Sequence, residues 1–349
     1  MIFWNIVISK KSKMNQYFTT VDIPDNGWRI SYNDRLMLIG SCFTENIGDK
    51  FNSIKFNIDI NPFGIIYNPS SIAKSLDRLI EGKPYVIEDL VEHQEQWHSF
   101  DHHSRFSGNT ADEALKKMNE RLTHSGEFLR NATHLIITFG TAWLWERKTT
   151  GEIVSNCHKF PASNYKRIRL TPGEIIEIYR ETLTKLWKFN HEVKVMFTIS
   201  PVRYMKDGAW ENQLSKSTLQ LVVYRLLSGF GNERCFYFPA YEIMMDELRD
   251  YRFYAPDLIH PNQTAIDHIW EKFTKRFMNE KTLNLSRQIT KILKAKSHKP
   301  FNKNTEAYKK FISSTLEDVN NIIISFPYLN IEEEKQYFEN ELLNNWKKL

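Results

Sequence analysis

The chain has 349 residues, of which 41% are apolar, 26% charged and 13% aromatic, with a formal net charge of +5. That balance belongs to a soluble globular protein and excludes a disordered, collagen-like or small disulfide-stapled chain. The excess of 47 Lys and Arg over 42 Asp and Glu is slight and dispersed, so no nucleic-acid partner is expected.

The opening MIFWNIVISKKSKM sets a short apolar run ahead of Lys10 and Lys11, the reverse of a secretory leader. Translation from Met1 or from Met14 fits equally well. No window holds the roughly 18 apolar residues of a membrane span, so no membrane partner is expected. Cys42, Cys157 and Cys235 form an odd set without a CxxC pair, which points to a reducing compartment and a cytoplasmic location. No repeat or low-complexity segment interrupts the chain.

In chain order, apolar runs rich in Ile, Val and Phe predict strands at 35–40, 55–60, 133–140, 193–200 and 234–239. Helical patterns lie between and after them. GEIIEIYRETLTKLWKF (173–189) follows Thr171-Pro172, a cap and first-turn proline, and aligns Ile176, Tyr179, Leu183 and Leu186. NQLSKSTLQLVVYRLLSGFG (212–231) reads as a helix stopped at its Ser-Gly, and residues 263–278 carry Ile266, Ile269, Trp270, Phe273 and Phe277 at helical spacing. Strand alternating with helix predicts an α/β domain over residues 15–282, its parallel sheet covered on both faces. Residues 281–303 hold seven Lys or Arg and no acid, and read as a solvated basic linker or, more sharply, a surface for an anionic partner. Helices at about 305–322 and 331–348 complete a C-terminal extension over 283–349, placed to pack on the domain or to form an oligomer contact.

Two segments carry chemistry. In LMLIGSCFTENIGDKF (36–51) an apolar strand runs through Gly40-Ser41 into a helix. Strand carboxyl ends form the binding edge of a parallel sheet, so Ser41 stands where a nucleophile is exposed beside helix amides that favour an oxyanion. Its other reading is a plain helix cap, although the acid of a capping box is one residue late, at Glu45. In YAPDLIHPNQTAIDHIW (254–270), Asp257 and His260 are spaced so that the carboxylate orients one imidazole nitrogen while the other faces a cleft. The competing reading is a helix-entry turn. A strand-end serine and a late DxxH together suit a base-activated serine.

The block GSCFTENIG (40–48) resembles the signature of the GSCFA-domain family, within the SGNH (GDSL-like) hydrolase superfamily. NPFGIIYNP (61–69), FGTAWLWE (139–146), NCHKFPA (156–162) and SPVRYMKDGAWENQLSK (200–216) resemble further blocks of that family, in its order. The resemblance covers roughly residues 20–280 and leaves the last 70 unassigned. It implies a three-layer α/β/α sandwich with a mainly parallel, flavodoxin-like sheet, and a site that hydrolyses or transfers acyl esters. By this resemblance Ser41 is the nucleophile, Asp257 and His260 the acid and base, and Gly64 an oxyanion amide beside those of Ser41 and Cys42. Cys42 follows the serine where relatives read GDS with an acid before it. Ala142 stands where the superfamily's oxyanion asparagine would be, so Thr141, Asn156 and His158 are candidate substitutes. Losing one such donor costs about 2.7–4 kcal/mol in a serine protease.

Other features weigh less. Cys42 is a rival nucleophile or a small buried thiol, and the latter reading is preferred. His98, Asp101, His102 and His103 lack metal-ligand spacing and read as a cleft-lining loop rather than a plain surface loop or a metal site. Arg203 and Lys206 follow a strand end, where they suit either an anionic substrate or solvent. No P-loop occurs, and Gly229-Phe230-Gly231 precedes a strand instead of following one. The expected function is therefore ester hydrolysis by Ser41, His260 and Asp257 on a small-molecule or carbohydrate acyl ester, with no metal and no cofactor. An O-acyltransferase using the same residues, with Trp97, Trp143, Trp145 and Trp210 available to stack on a sugar, is the nearest alternative. A non-catalytic binding protein on the same fold is the next.

Overall fold

The structure is a computed structural model and describes residues 19–346, so both candidate starts lie outside it. The first half of the chain gives β1 (Arg35–Gly40), α1 (Cys42–Asn52), β2 (Asn57–Ile60), α2 (Pro69–Glu81), the hairpin β3 (Val91–His93) and β4 (Gln96–His98), α3 (Ala111–Arg130) and β5 (His134–Phe139). A small antiparallel sheet follows, of β6 (Trp143–Arg147), β7 (Ile153–Val154) and β8 (Tyr165–Arg169). Then come α4 (Pro172–Phe189), β9 (Lys194–Ile199), α5 (Gly208–Phe230), β10 (Cys235–Phe238), the single turn α6 (Ala240–Glu242) and α7 (Gln263–Phe277). The chain closes with α8 (Glu280–Ser297), α9 (Glu306–Ser325) and α10 (Glu332–Trp346). Among the described residues, no helix is long and apolar enough to cross a membrane.

All five predicted strands form, in one parallel sheet of order β10-β9-β5-β1-β2. Counted along this sheet alone, that is the flavodoxin-like order 2-1-3-4-5, whose direction reverses between β1 and β5. Side chains alternate across the sheet. Met37, Ile39, Leu135, Ile137, Val195 and Phe197 join the core under α2, α3, α4 and α5. Leu36, Leu38, Ile136 and Met196 join a second core with α1, α7 and the C-terminal helices. Continuous apolar strands are what a sheet buried on both faces requires.

Local signals explain most boundaries. Thr171 accepts the amide of Glu174 while the Glu174 carboxylate accepts the amide of Thr171, a reciprocal cap that starts α4 with Pro172 in its first turn. The α5 helix differs from expectation: it starts at Gly208 and continues through Ser228-Gly229 to Phe230, where Gly231, with a φ of 82°, caps it.

The stretch read as a basic linker is a correction. Most of it is α8, which buries Leu285, Ile289, Ile292 and Ala295 in the second core, each larger side chain contributing about 1.5–3 kcal/mol. Several of its cations meet acids from the helices that follow: Lys291 reaches Asp318 at 2.8 Å, Lys296 reaches Glu333 at 2.6 Å, and Lys303 just beyond reaches Glu341 at 2.9 Å. The basic run is thus largely answered within the chain, which removes the reason to assign it an anionic partner.

Gly40 closes β1 with φ 145°, and a Cβ there would lie 2.2 Å from the Thr138 carbonyl oxygen of β5. Gly173 sits on α4 with open space around it. Gly40→Ala should therefore cost roughly 3 kcal/mol in urea unfolding, while Gly173→Ala stays within about 0.5 kcal/mol of the parent. Equal stabilities for the two variants would contradict this packing.

Candidate active site

The turn from β1 into α1 lies at the carboxyl edge of the sheet, at the reversal point between β1 and β5. Gly40 donates its amide to Asn61 Oδ1 at 2.9 Å, and Ser41 donates its own to the Thr138 carbonyl at 3.3 Å. Ser41 then occupies the cap position of α1 with extended backbone, but its side chain makes no cap bond. The residue is 1% exposed, and its Oγ has no hydrogen bond to any described residue. A buried hydroxyl is ordinarily paired, and Ser41 shares this unpaired state with Thr44, Ser125 and Thr198.

Asp257 and His260 form a closed unit. Asp257 Oδ1 accepts the amides of Ile259 at 2.9 Å and His260 at 3.0 Å, and Oδ2 accepts His260 Nδ1–H at 2.6 Å. Those two amides and then the imidazole hold the Asp257 carboxyl down to about 2. Leu258 takes a left-handed φ of 59°, which tightens the turn between acid and base. The turn is tied on both sides: Arg203 donates its amide to the Ile259 carbonyl at 3.3 Å, and Ala255 to that of His260 at 2.7 Å. With Nδ1 protonated toward Asp257, Nε2 is left with a lone pair for accepting a proton. The His260 side chain is 46% exposed, whereas Ser41 is buried, and the two side chains are not hydrogen-bonded to each other. The Asp–His half of the constellation is assembled, and the Ser–His half is open.

Of the expected oxyanion donors, Gly64, Thr141, Asn156 and His158 are engaged elsewhere. Gly64 has φ 82° and donates its amide to the Asn61 carbonyl at 2.8 Å, closing its own turn. Thr141 Oγ1 pairs with Ser215 Oγ at 3.1 Å, and its amide goes to the Tyr67 carbonyl. Asn156 Nδ2 donates to Ser104 Oγ at 3.2 Å, and its Oδ1 accepts the amide of His158. His158 Nε2 donates to the Ser99 carbonyl at 2.8 Å, and burial holds its ring at about 4. Ala142 is core, its amide taken by Ser215. The Cys42 amide, in the first turn of α1, has no intrahelical acceptor. Burial pushes the Cys42 thiol up, which suits the small-hydrophobe reading.

Three further residues shape the edge. Asn61, fully buried with φ 45°, holds the β1–α1 turn through Gly40. Arg105 binds Glu45 of α1 at 2.8 Å and the Asn61 carbonyl at 2.8 Å, so the 97–108 loop does lie against the α1 N-terminus. Lys216 is fully buried on α5 and donates to the carbonyls of Gly140 at 2.8 Å and Ser200 at 2.7 Å, where β5 and β9 end. Burial pulls its ammonium down to about 7, with Cys42 and Glu242 the acidic groups that oppose the fall. Its spacing from Asn212, Leu219 and Val223 puts a lysine on the buried stripe of α5, a signal present in the sequence. Among the described residues, no cluster suited to a metal ion occurs.

Residues 35–273 match the model of the GSCFA family, and residues 289–344 match that of the GSCFA domain protein, C-terminal domain. The chain belongs to the GSCFA family. The helices that the sequence motifs left unassigned thus have a family model of their own. No curated protein matches the chain. Among solved structures it is similar to an acetyl xylan esterase from the rumen bacterium Butyrivibrio proteoclasticus, at 10% identity and TM-score 0.38, covering 70% of this chain and 63% of that one. It thus spans less than two thirds of that esterase. A putative acylhydrolase from Bacteroides fragilis matches at 11% identity and TM-score 0.35, over 77% of this chain and 91% of that one. A carbohydrate esterase family 3 protein from Talaromyces cellulolyticus matches at 10% and 0.34, over 73% and 98%.

Burial holds His102 at about 3 and His158 at about 4, both below the ordinary imidazole value near 6.5. Between pH 4 and 6.5 the folded protein therefore binds fewer protons than the unfolded chain, so this contribution is complete above 6.5 and lost as pH falls. The Tm should decline across that window. His102→Phe, which keeps a ring against Phe63, Tyr85 and Phe106, should flatten the decline. Parallel Tm profiles for the two proteins would contradict the assignment.

Proposed function

We propose that this protein is a serine ester hydrolase in which Ser41 is the nucleophile, His260 the base and then the acid, and Asp257 the group that orients and balances the imidazole. The observation that carries this reading is the pairing of a buried, unpartnered hydroxyl at the head of α1 with an oriented Asp257–His260 unit on the same sheet edge. His260 Nε2 takes the Ser41 proton as Oγ bonds to the ester carbonyl carbon, and the resulting oxyanion faces the amides at the start of α1. Collapse breaks the ester C–O bond, and the imidazolium returns its proton to the departing alcohol. Water then gives a proton to His260 and its oxygen to the acyl carbon, releasing the carboxylic acid and restoring Ser41. The cycle needs the 255–262 turn to close over Ser41 when substrate binds, which joins the two halves of the site. The substrate class is a small acyl ester, carbohydrate esters included.

Turnover of p-nitrophenyl acetate tests this. Ser41→Ala and His260→Ala should each lower kcat/KM by about 10³-fold or more, and the double variant should be no worse than either single one, because the residues act as a unit. Full activity in Ser41→Ala would overturn the proposal. Adding a carbohydrate acceptor separates hydrolysis from transfer: acylated sugar formed at the expense of free acid would assign the same residues to an acyltransferase.

A further inference from the structure

A cleft of about 440 Å³ opens beside the turn that carries His260, lined by Arg203, Gln213, Tyr241, Tyr251 and Tyr254 among others. It is joined to the site through the backbone. Arg203 follows β9 and donates its amide to the Ile259 carbonyl, within the acid–base turn itself, while Tyr254 bridges Pro261 just beyond His260. On the inner side, the Tyr241 ring lies 5.3 Å from Lys216 Nζ, which binds the edge carbonyls of β5 and β9.

The charges in the cleft are unequal. Arg249 faces Asp246 at 3.7 Å, and Asp250 is taken by Arg252 at 3.2 Å and by the Arg252 amide at 2.8 Å. Arg203, by contrast, has no acid and no side-chain acceptor among the described residues. It is half-buried and lines the cleft with Tyr241 and Tyr254, both of which feel its charge. A guanidinium kept out of bulk water without a partner favours an anion, and its planar fork matches a carboxylate or a phosphate. Tyr241 and Gln213 add a polar pair at 3.3 Å, and Tyr251, 68% exposed, offers a face beside Tyr254 at 6.0 Å between ring centres. An aromatic wall with a few directed polar groups is the composition that holds a sugar ring.

We propose that this cleft receives the alcohol side of the substrate and that this alcohol is an acidic sugar, its anionic group bound by Arg203. The proposal rests on the ester-hydrolase reading for its place in a reaction, but not for the binding itself. Arg203 acts as a specificity residue: it holds the anion on the flank of His260, so that the acyl-bearing oxygen points back toward Ser41.

Calorimetry on the full chain tests the binding directly, with methyl glucuronide, methyl glucoside and inorganic phosphate as probes. The glucuronide should bind at least tenfold more tightly than the glucoside, and Arg203→Gln should remove that preference. Arg225→Gln, on the exposed face of α5, should keep it. Tighter binding of phosphate than of glucuronide would make the anion a phosphoryl group. Equal affinity for glucuronide and glucoside, or a preference that survives Arg203→Gln, would overturn the proposal. Ser41→Ala keeps the two claims apart: it should bind the glucuronide like the parent, so loss of turnover with binding intact supports both readings. Intact turnover on an acetylated glucuronide would sink the hydrolase reading while leaving the binding result standing.

Discussion

At Gly40 the backbone passes so close to the Thr138 carbonyl that no side chain fits, and the same residue's amide is held by Asn61 from the adjoining strand's exit. This close approach fixes how the chain leaves β1, and with it the direction of α1 and the depth of Ser41. The reversal of strand order between β1 and β5 then leaves room above that turn, because the connections on either side run in opposite directions. Placement of the proposed nucleophile is thus a consequence of sheet topology plus one glycine contact. Charged groups refine it: Arg105 ties the 97–108 loop to Glu45 and Asn61, closing the turn from outside.

A second constraint is electrostatic. Lys216 bridges the final carbonyls of β5 and β9 in surroundings dry enough to lower its proton affinity to about 7. One buried amine with two carbonyl acceptors ties those strand ends together. Where the superfamily pattern implies an asparagine donor, this chain has buried Ala142.

The sheet was legible because its inner strands β1, β5 and β9 are buried on both faces and read as largely apolar runs, and α4 because Thr171 and Pro172 mark its start. The α8 helix was not: its buried positions are diluted by lysines whose acidic partners lie 27 to 38 residues away, and no local pattern reveals a partner at that distance. The same limit applies to the site. Ser41 and the Asp257–His260 pair announce themselves through local spacing, as does the strand-end position of Arg203. Asn61 and the commitment of the Gly64 amide do not, since both depend on turn geometry at positive φ. Lys216 falls between the two cases, visible as a charged residue on an apolar stripe but meaningless until the strand ends it binds are in place.

The central claim is that Ser41 is activated by His260 once the 255–262 turn closes over it. Treating the protein with a fluorophosphonate and mapping the adduct by peptide mass tests this most directly, because the reagent reports nucleophilicity without needing the natural substrate. The account predicts a single adduct on Ser41 that disappears in His260→Ala. An unlabelled protein, or an adduct on another residue such as Ser200, would contradict it.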